Sequence, residues 1–275
     1  MQSPPRPLLT STANPRVKAA AGLRDRRERD RTGLTLVDGA REVRRSFEGG
    51  AIVVEAFICE PLLAGQDARA VLDSLGAAGA PVHLVSESVF ARVSFGERAE
   101  GVVAVVRIPS LDIANLVLPE DPLVVVVEGV EKPGNVGAVL RSADGAGADA
   151  VVAADARTDL FNPNAIRASL GTAFSVQIAS ASTAQALDWV RGHGLRIVAA
   201  RVDADRLYTD ADLTGPLAIA LGAEADGLSA AWSDDAIEAV RLPMAGIADS
   251  LNVSATAAIL LYEARRQRGP SRQKR

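Results

Sequence analysis

Between Leu123 and Val127 the chain runs through four consecutive valines without a polar residue. Successive side chains of a strand point to opposite faces, so a strand with one wet face must alternate. An unbroken β-branched run instead suits a strand covered on both sides, as in a parallel sheet flanked by helices. Parallel neighbours need long crossovers, usually helical, and the C-terminal half of the chain supplies them. Its apolar pattern predicts further strands at 150–154, 174–178, 195–200, 217–221 and 239–242. Helices are expected between them at 136–145, 164–170 and 184–192, with a last one at 253–266. The expected fold class is α/β.

Upstream of Pro122 the same alternation recurs on a smaller scale. Helices are expected at 15–30, 39–47, 67–78 and 87–93, and strands at 34–37, 52–58, 82–85 and 101–107, a small α/β sandwich ending at Pro109. Residues 1–13, rich in Pro, Ser and Thr, read as a disordered lead. Residues 110–121 read as a linker and 268–275 as a basic tail. The expected domains are therefore 14–109 and 122–267, within the range a 275-residue chain allows.

Composition removes several chemistries. Cys59 is the one cysteine, which excludes a disulfide framework and a cysteine-based zinc site within one chain and fits a reducing, cytoplasmic compartment. The opening Met1-Gln-Ser-Pro-Pro-Arg-Pro7 lacks the apolar core of a signal peptide, and the valine runs are too short to cross a bilayer. A net charge of −4 argues against a broad nucleic-acid surface. The charge is uneven, however. Arg24, Arg26, Arg27, Arg29 and Arg31 cluster near the start, diluted by Asp25, Glu28 and Asp30. Arg265, Arg266, Arg268, Arg272, Lys274 and Arg275 cluster at the end. Either group is a solvated face or an RNA contact. His83 and His193 are the only histidines and fit no metal-ligand pattern, so no metal site is expected.

Ligands of open α/β sheets bind beyond the carboxyl ends of the strands, and three such ends carry unusual residues. The first loop, Glu128 to Ser142, holds Gly129, Gly134 and Gly137, but not at dinucleotide-fingerprint spacing, and Lys132 lacks a Walker context. Asn135 is expected to cap the helix that carries Arg141, which lies six residues later on a different face. Arg141 suits phosphate pairing, a neighbouring subunit or a surface ion pair. The second, Leu221-Gly-Ala-Glu-Ala-Asp-Gly-Leu228, offers Glu224 as an acceptor for Asn252 or a substrate, or as a plain turn residue. In the third, Pro243 ends a strand, and Ser250 and Asn252 precede an Ala- and Leu-rich helix as candidate N-caps. A nucleophile elbow is missing. What remains is a site of Asn, Arg, Glu, Ser and backbone groups, suited to positioning and transfer.

Together the three loops resemble the motifs of the SpoU family of RNA ribose 2′-O-methyltransferases, in the SPOUT superfamily. The first family motif is similar to Asn135-Val-Gly-Ala-Val-Leu-Arg-Ser-Ala143, and the second to Leu221 through Leu228. The third is similar to Leu242-Pro-Met-Ala-Gly246 followed by Ser250 through Glu263. The matches occur in family order over about residues 122–265. The one departure is Ala223, where the family carries Asn before its Glu. Leu36-Val-Asp-Gly-Ala-Arg-Glu-Val43 resembles the family's substrate-binding domain, which has the fold of ribosomal protein L30e. The nearest resemblance within the family is to self-resistance methyltransferases of antibiotic-producing actinomycetes.

The resemblance implies a deep trefoil knot and a homodimer through the knot domain. It implies S-adenosyl-L-methionine held by Ala200, Arg201, Leu221, Gly222, Leu242, Met244, Ser250, Leu251 and Asn252. It further implies a catalytic set of Asn135, Arg141, Glu224, Ser250 and Asn252, acting on 23S ribosomal RNA or, alternatively, on transfer RNA. A guanidinium stays protonated, so Arg141 is expected to fix a phosphate and stabilise developing charge rather than act as a base. Loss of activity, leaving a silent RNA-binding module, is the rival from another class. The face formed by Ala255, Ala258, Ile259 and Tyr262 is either a dimer contact or core.

Overall fold

The computed structural model describes residues 7–63, 66–77, 79–95, 100–223 and 226–269. Two compact units emerge, one comprising the chain up to Pro109 together with Leu160–Ser175, the other Ser110–Asp159 and the chain from Val176 onward.

The first unit begins with α1 (Pro15–Gly22) and α2 (Arg26–Thr32), two helices where one was expected. Asn14 caps α1, accepting from the N–H of Arg16, and Asp25 opens a new helix by accepting from the N–H of Arg27. Arg29 is buried and donates to the Leu23 and Arg24 carbonyls at 2.7 and 2.8 Å, which satisfies the acceptors freed at the corner. Gly33, left-handed at φ 65°, ends α2. Then follow β1 (Leu34–Asp38), α3 (Ala40–Glu48), β2 (Val53–Ile58), α4 (Gln66–Ala77), β3 (Val82–Leu84), α5 (Glu87–Val93) and β4 (Val102–Arg107). The sheet order is β1-β4-β2-β3, antiparallel except for the β2–β3 pair. Leu36, Phe57, Phe90, Val103 and Val105 pack against Val17 and Ala20 of α1 in one core. Part of the expected disordered lead is ordered: Leu9 donates to the Leu84 carbonyl at 2.8 Å and accepts from Ser86, adding a bridge beside β3.

The second unit starts with the valine strand β5 (Leu123–Glu128), buried at every position. After it come α6 (Pro133–Ala146) and β6 (Ala150–Ala154). The chain then passes through Leu160–Ser175, which belongs to the first unit and contains α7 (Pro163–Ala168). Here Phe161 and Phe174 pack ring against ring at 5.3 Å, and Thr35 of β1 donates to the Phe161 carbonyl at 2.8 Å. Phe174 therefore sits in a 3-10 turn, and the strand expected at 174–178 instead starts three residues later as β7 (Gln177–Ala181). The remaining elements are α8 (Thr183–Gly192), β8 (Arg196–Ala200), β9 (Leu217–Leu221), β10 (Ile237–Val240) and α9 (Val253–Arg268). All six strands are parallel, in the order β10-β8-β9-β5-β6-β7. Ala186, Leu187 and Val190 of α8 pack with Val124, Val126, Val152, Ala218 and Ala220, while α6 and α9 pack against each other.

The expected linker is part of this unit. Leu111 accepts from Ser180 of β7, Gln177 exchanges hydrogen bonds with Val117, and Ile113, Leu116 and Leu118 reach the core. Arg268, assigned to the tail, is the last residue of α9 and donates to the Leu213 and Pro122 carbonyls at 3.1 and 3.3 Å. The tail beyond Gly269 and residues 1–6 of the lead lie outside the described residues. Among the described residues no helix is long and apolar enough to cross a membrane.

Candidate active site

The exits of β8, β9 and β10 lie side by side, because β9 inserts between β5 and β8 and β10 pairs with the far edge of β8. Beyond them opens a cavity of about 520 Å³. Ala200 and Arg201 come from the end of β8, Leu221 and Gly222 from β9, and Leu242, Met244, Ser250 and Leu251 from the segment between β10 and α9. All eight line this one cavity. Gly222 is required by close approach. A Cβ there would lie 2.0 Å from the carbonyl carbon of Gly227, because the loop after β9 folds back, with Gly227 N–H donating to Ala223 at 3.0 Å.

A second cavity of about 310 Å³ adjoins the first and shares Gly222, Ala223 and Val253 with it. Its other walls are Val127, Gly129, Val130, Glu131, Lys132 and Asn135. Asn252 lines neither cavity but bridges to the second, its Nδ2 donating to Asn135 Oδ1 at 3.3 Å. It also caps α9, its Oδ1 accepting from Ser254 N at 2.8 Å and Ser254 Oγ at 2.6 Å.

Asn135 does not cap α6. Pro133 occupies the first helical turn, where a missing N–H costs nothing, so the helix starts earlier and Asn135 falls inside it; Lys132 holds the cap position without a side-chain bond. Arg141 is exposed on α6 and lines neither cavity. Glu224 lies outside the described residues. The face of Ala255, Ala258 and Ile259 is half-buried and Tyr262 is exposed, while Val253, Ala257, Leu260, Leu261 and Ala264 form the buried stripe of α9.

Sequence reasoning missed three carboxylates of the larger cavity, Asp203, Asp226 and Asp249. Two were within sight, Asp226 inside the second motif and Asp249 beside Ser250. Against them stand Arg201, whose Nε and Nη2 donate to both oxygens of Asp203 at 2.9 Å, and Arg157, outside the lining, 3.7 Å from Asp226. Those bonds hold the Asp203 carboxyl below its ordinary range. With Asp203 and Asp226 each paired to an arginine, Asp249 is the lining carboxylate without an ion pair to another described residue, and its charge favours a cationic ligand.

The two histidines have structural partners. His83 pairs with Glu55 at 3.0 Å, and His193 closes α8 with its ring against Trp189. Most N-terminal arginines are likewise engaged: Arg26 with Asp30, Arg31 with Glu28, and Arg24 with the Arg92 and Ser94 carbonyls.

Residues 122–262 match the model of the SpoU rRNA Methylase family. The chain belongs to that family. Residues 14–104 of this SpoU-family chain match the MRM3-like substrate binding domain. The chain is 34% identical over 255 residues to a 23S rRNA (uridine(2479)-2′-O)-methyltransferase of Streptomyces viridochromogenes, covering 90% of this chain and 87% of the relative. A crystal structure of an RNA 2′-O ribose methyltransferase superposes with a TM-score of 0.83 at 43% identity, over 95% of this chain and 99% of that one. An AdoMet-bound rRNA methyltransferase from Sinorhizobium meliloti gives 0.84 at 29% identity, over 94% and 97%.

Proposed function

We propose that this SpoU-family protein methylates the 2′-hydroxyl of one ribose in 23S ribosomal RNA, with S-adenosyl-L-methionine as the donor. The observation that carries the reading is the pair of cavities with a common wall at Gly222, Ala223 and Val253, with Asn252, next to Val253, bonded to Asn135 of the smaller one. A transfer between two ligands needs two adjoining sites, and alignment alone can supply roughly 7–11 kcal/mol of the barrier.

The larger cavity fits the donor. Its volume is that of a small-molecule site, the Asp249 carboxylate in its lining suits a sulfonium, and Gly222 lets the backbone at Gly227 and Leu228 close against the end of β9. Ala200, Arg201, Leu221, Gly222, Leu242, Met244, Ser250 and Leu251 would hold the molecule, with Asn252 fixing the end of the segment that carries Ser250 and Leu251. When bound, the donor supplies a methyl group open to displacement by a ribose oxygen. The chain's own residues orient the acceptor: Asn135 from the smaller cavity, held by Asn252, and Ser250 from the larger. Glu224 is assigned as an acceptor for Asn252 or a substrate hydroxyl. Arg141, with the paired donors of a guanidinium, is assigned to a phosphate of the RNA, or to the site of a second copy of the chain.

The finer readings belong to the same proposal. The second unit carries the family's trefoil knot, and the first has the L30e-like fold and binds RNA. Residues 14–109 and 122–267 are the functional parts, with Leu160–Ser175 lent by the latter to the first unit. The half-exposed face of α9 makes the homodimer contact, which sedimentation would detect. An rRNA substrate puts the enzyme in the cytoplasm with the ribosomes, and a self-resistance role is tested by growth of a susceptible host expressing the chain.

Labelled methyl transfer to 23S rRNA and to transfer RNA, followed by alkaline hydrolysis and mapping, tests the central reading. An alkali-resistant linkage at one 23S position is expected. Label on a base, on transfer RNA alone, or on neither RNA would overturn it.

A further inference from the structure

Glu128 ends β5 and is buried, yet lines neither cavity. One carboxylate oxygen accepts from Thr183 Oγ1 and Ser229 Oγ, both at 2.7 Å, and the other from Ser229 N at 2.7 Å. It has no ion pair with another described residue, so hydrogen bonds alone compensate the buried charge. Burial pushes its pKa up, but the bonds from Ser229 and Thr183, with the Trp232 indole close by, outweigh this and leave the carboxyl below its ordinary range.

The bonds join separate strand exits. Thr183, at the start of α8 after β7, donates its N–H to Asp155 at 3.0 Å. Asp155 follows β6, in the left-handed region at φ 45°, and donates its own N–H to Ala181 at 2.9 Å. Ser229 closes the loop after β9, the loop whose Gly222, Ala223, Asp226, Gly227 and Leu228 wall the larger cavity. The segment touches Gly222 so closely that a shift at Ser229 is transmitted to the cavity. A carboxylate on the rigid central strand thus holds a cavity wall from behind.

We propose that Glu128 is a positioning residue for the donor cavity, its carboxylate setting the wall at Asp226, Gly227 and Leu228 through Ser229. This rests on the S-adenosylmethionine reading above.

Calorimetry with S-adenosylmethionine, KM for donor and for a 23S fragment, and thermal melting are measured on the full chain and on Glu128→Ala, Glu128→Gln and Ser229→Ala. Glu128→Ala is expected to raise the donor Kd and KM about tenfold, with the RNA KM within about twofold. Glu128→Gln should recover most of the loss, since its oxygen can still accept from Ser229 N–H and its amide can donate to the two hydroxyls. Ser229→Ala should cost about threefold. A folded Glu128→Ala with the wild-type donor Kd, or with donor and RNA affinities lost equally, would overturn the assignment. If Glu128→Ala does not fold, an unchanged donor Kd in Ser229→Ala overturns it instead. Failure of the wild-type chain to bind the donor would sink the functional reading itself, and this inference with it.

Discussion

The amide oxygen of Asn252 accepts from Ser254 N–H at 2.8 Å while its nitrogen donates to Asn135 at 3.3 Å, so one side chain serves both helix α9 and the site. The two roles can be separated. Asp caps a helix as well as Asn and suits the positive end of its dipole, but it has no N–H to donate. Asn252→Asp should therefore melt within about 2 °C of wild type while methyl transfer falls about 10- to 100-fold, read by melting and steady-state assay side by side. Arg141→Lys keeps charge but loses the paired donors, and a turnover near wild type would count against a bidentate phosphate contact. Asp38 offers a test by pH. Burial raises its carboxyl to about 6, with Glu100 and Glu42 adding to the rise and the Phe95 N–H and Arg167 opposing it. One oxygen has no partner among the described residues. A raised acid pKa favours the folded state fully below the unfolded value near 4 and loses that advantage as pH climbs through about 6. Asp38→Asn should thus be more stable than wild type at pH 7, by about 1–2 kcal/mol once an unpaired amide is allowed for, and lose that margin near pH 4, as urea titrations at the two pH values would show. Local chemistry was readable for Asn252, whose cap follows from its place before an apolar run. It misled for Asn135, because Pro133 starts α6 earlier than the side chain suggests.

The segment Leu160–Ser175 shows where element-level reading ends. Its sequence reads as a helix at 164–170 and the start of a strand at 174–178, both within the second unit. The first unit takes it because Thr35, Phe161, Phe174 and α3 make a surface that exists only after folding. No periodicity encodes which sheet a segment joins, whereas β5 announced itself by composition alone. The packing has a checkable consequence at Gly49, whose φ of −80° any residue could adopt. A Cβ at that position would meet the Phe174 carbonyl carbon at 2.7 Å and its oxygen at 2.8 Å. Gly49→Ala is expected to destabilise by about 1–3 kcal/mol through overpacking alone. Gly76, near the end of α4, is the control, since nothing lies within 4 Å of a Cβ there. Gly76→Ala should be neutral or gain about 0.5–1 kcal/mol. Equal denaturation midpoints for the two variants would mean that the segment does not press on α3.

At the scale of the molecule, the charge of an RNA-modifying chain is unusual: −4 overall, with 10 of its 27 arginines in two sequence clusters. Those clusters read as RNA contacts or as solvated faces, and a charge in a sequence does not reveal its partner. The fold consumes many of them. Arg29 is buried on carbonyls, Arg266 is held by Glu263 at 2.7 Å, and Arg268 fastens the end of α9 to the carbonyls of Leu213, Gly215 and Pro122. Arg27, Arg92, Arg107 and Arg141 remain exposed without an ion pair to another described residue. Each phosphate contact adds about 0.7–0.9 to the slope of log affinity against log salt. With these four arginines at liberty among the described residues, the RNA KM should rise with a slope of about 2–4 between 50 and 300 mM salt, matching about three to five contacts. The donor Kd should stay nearly flat over the same range, since its acidic cavity meets a small ligand rather than a polyanion. A slope of about 8 or more would mean a broad basic surface. The specificity of this enzyme would then rest on charge, rather than on the shape of two adjoining cavities.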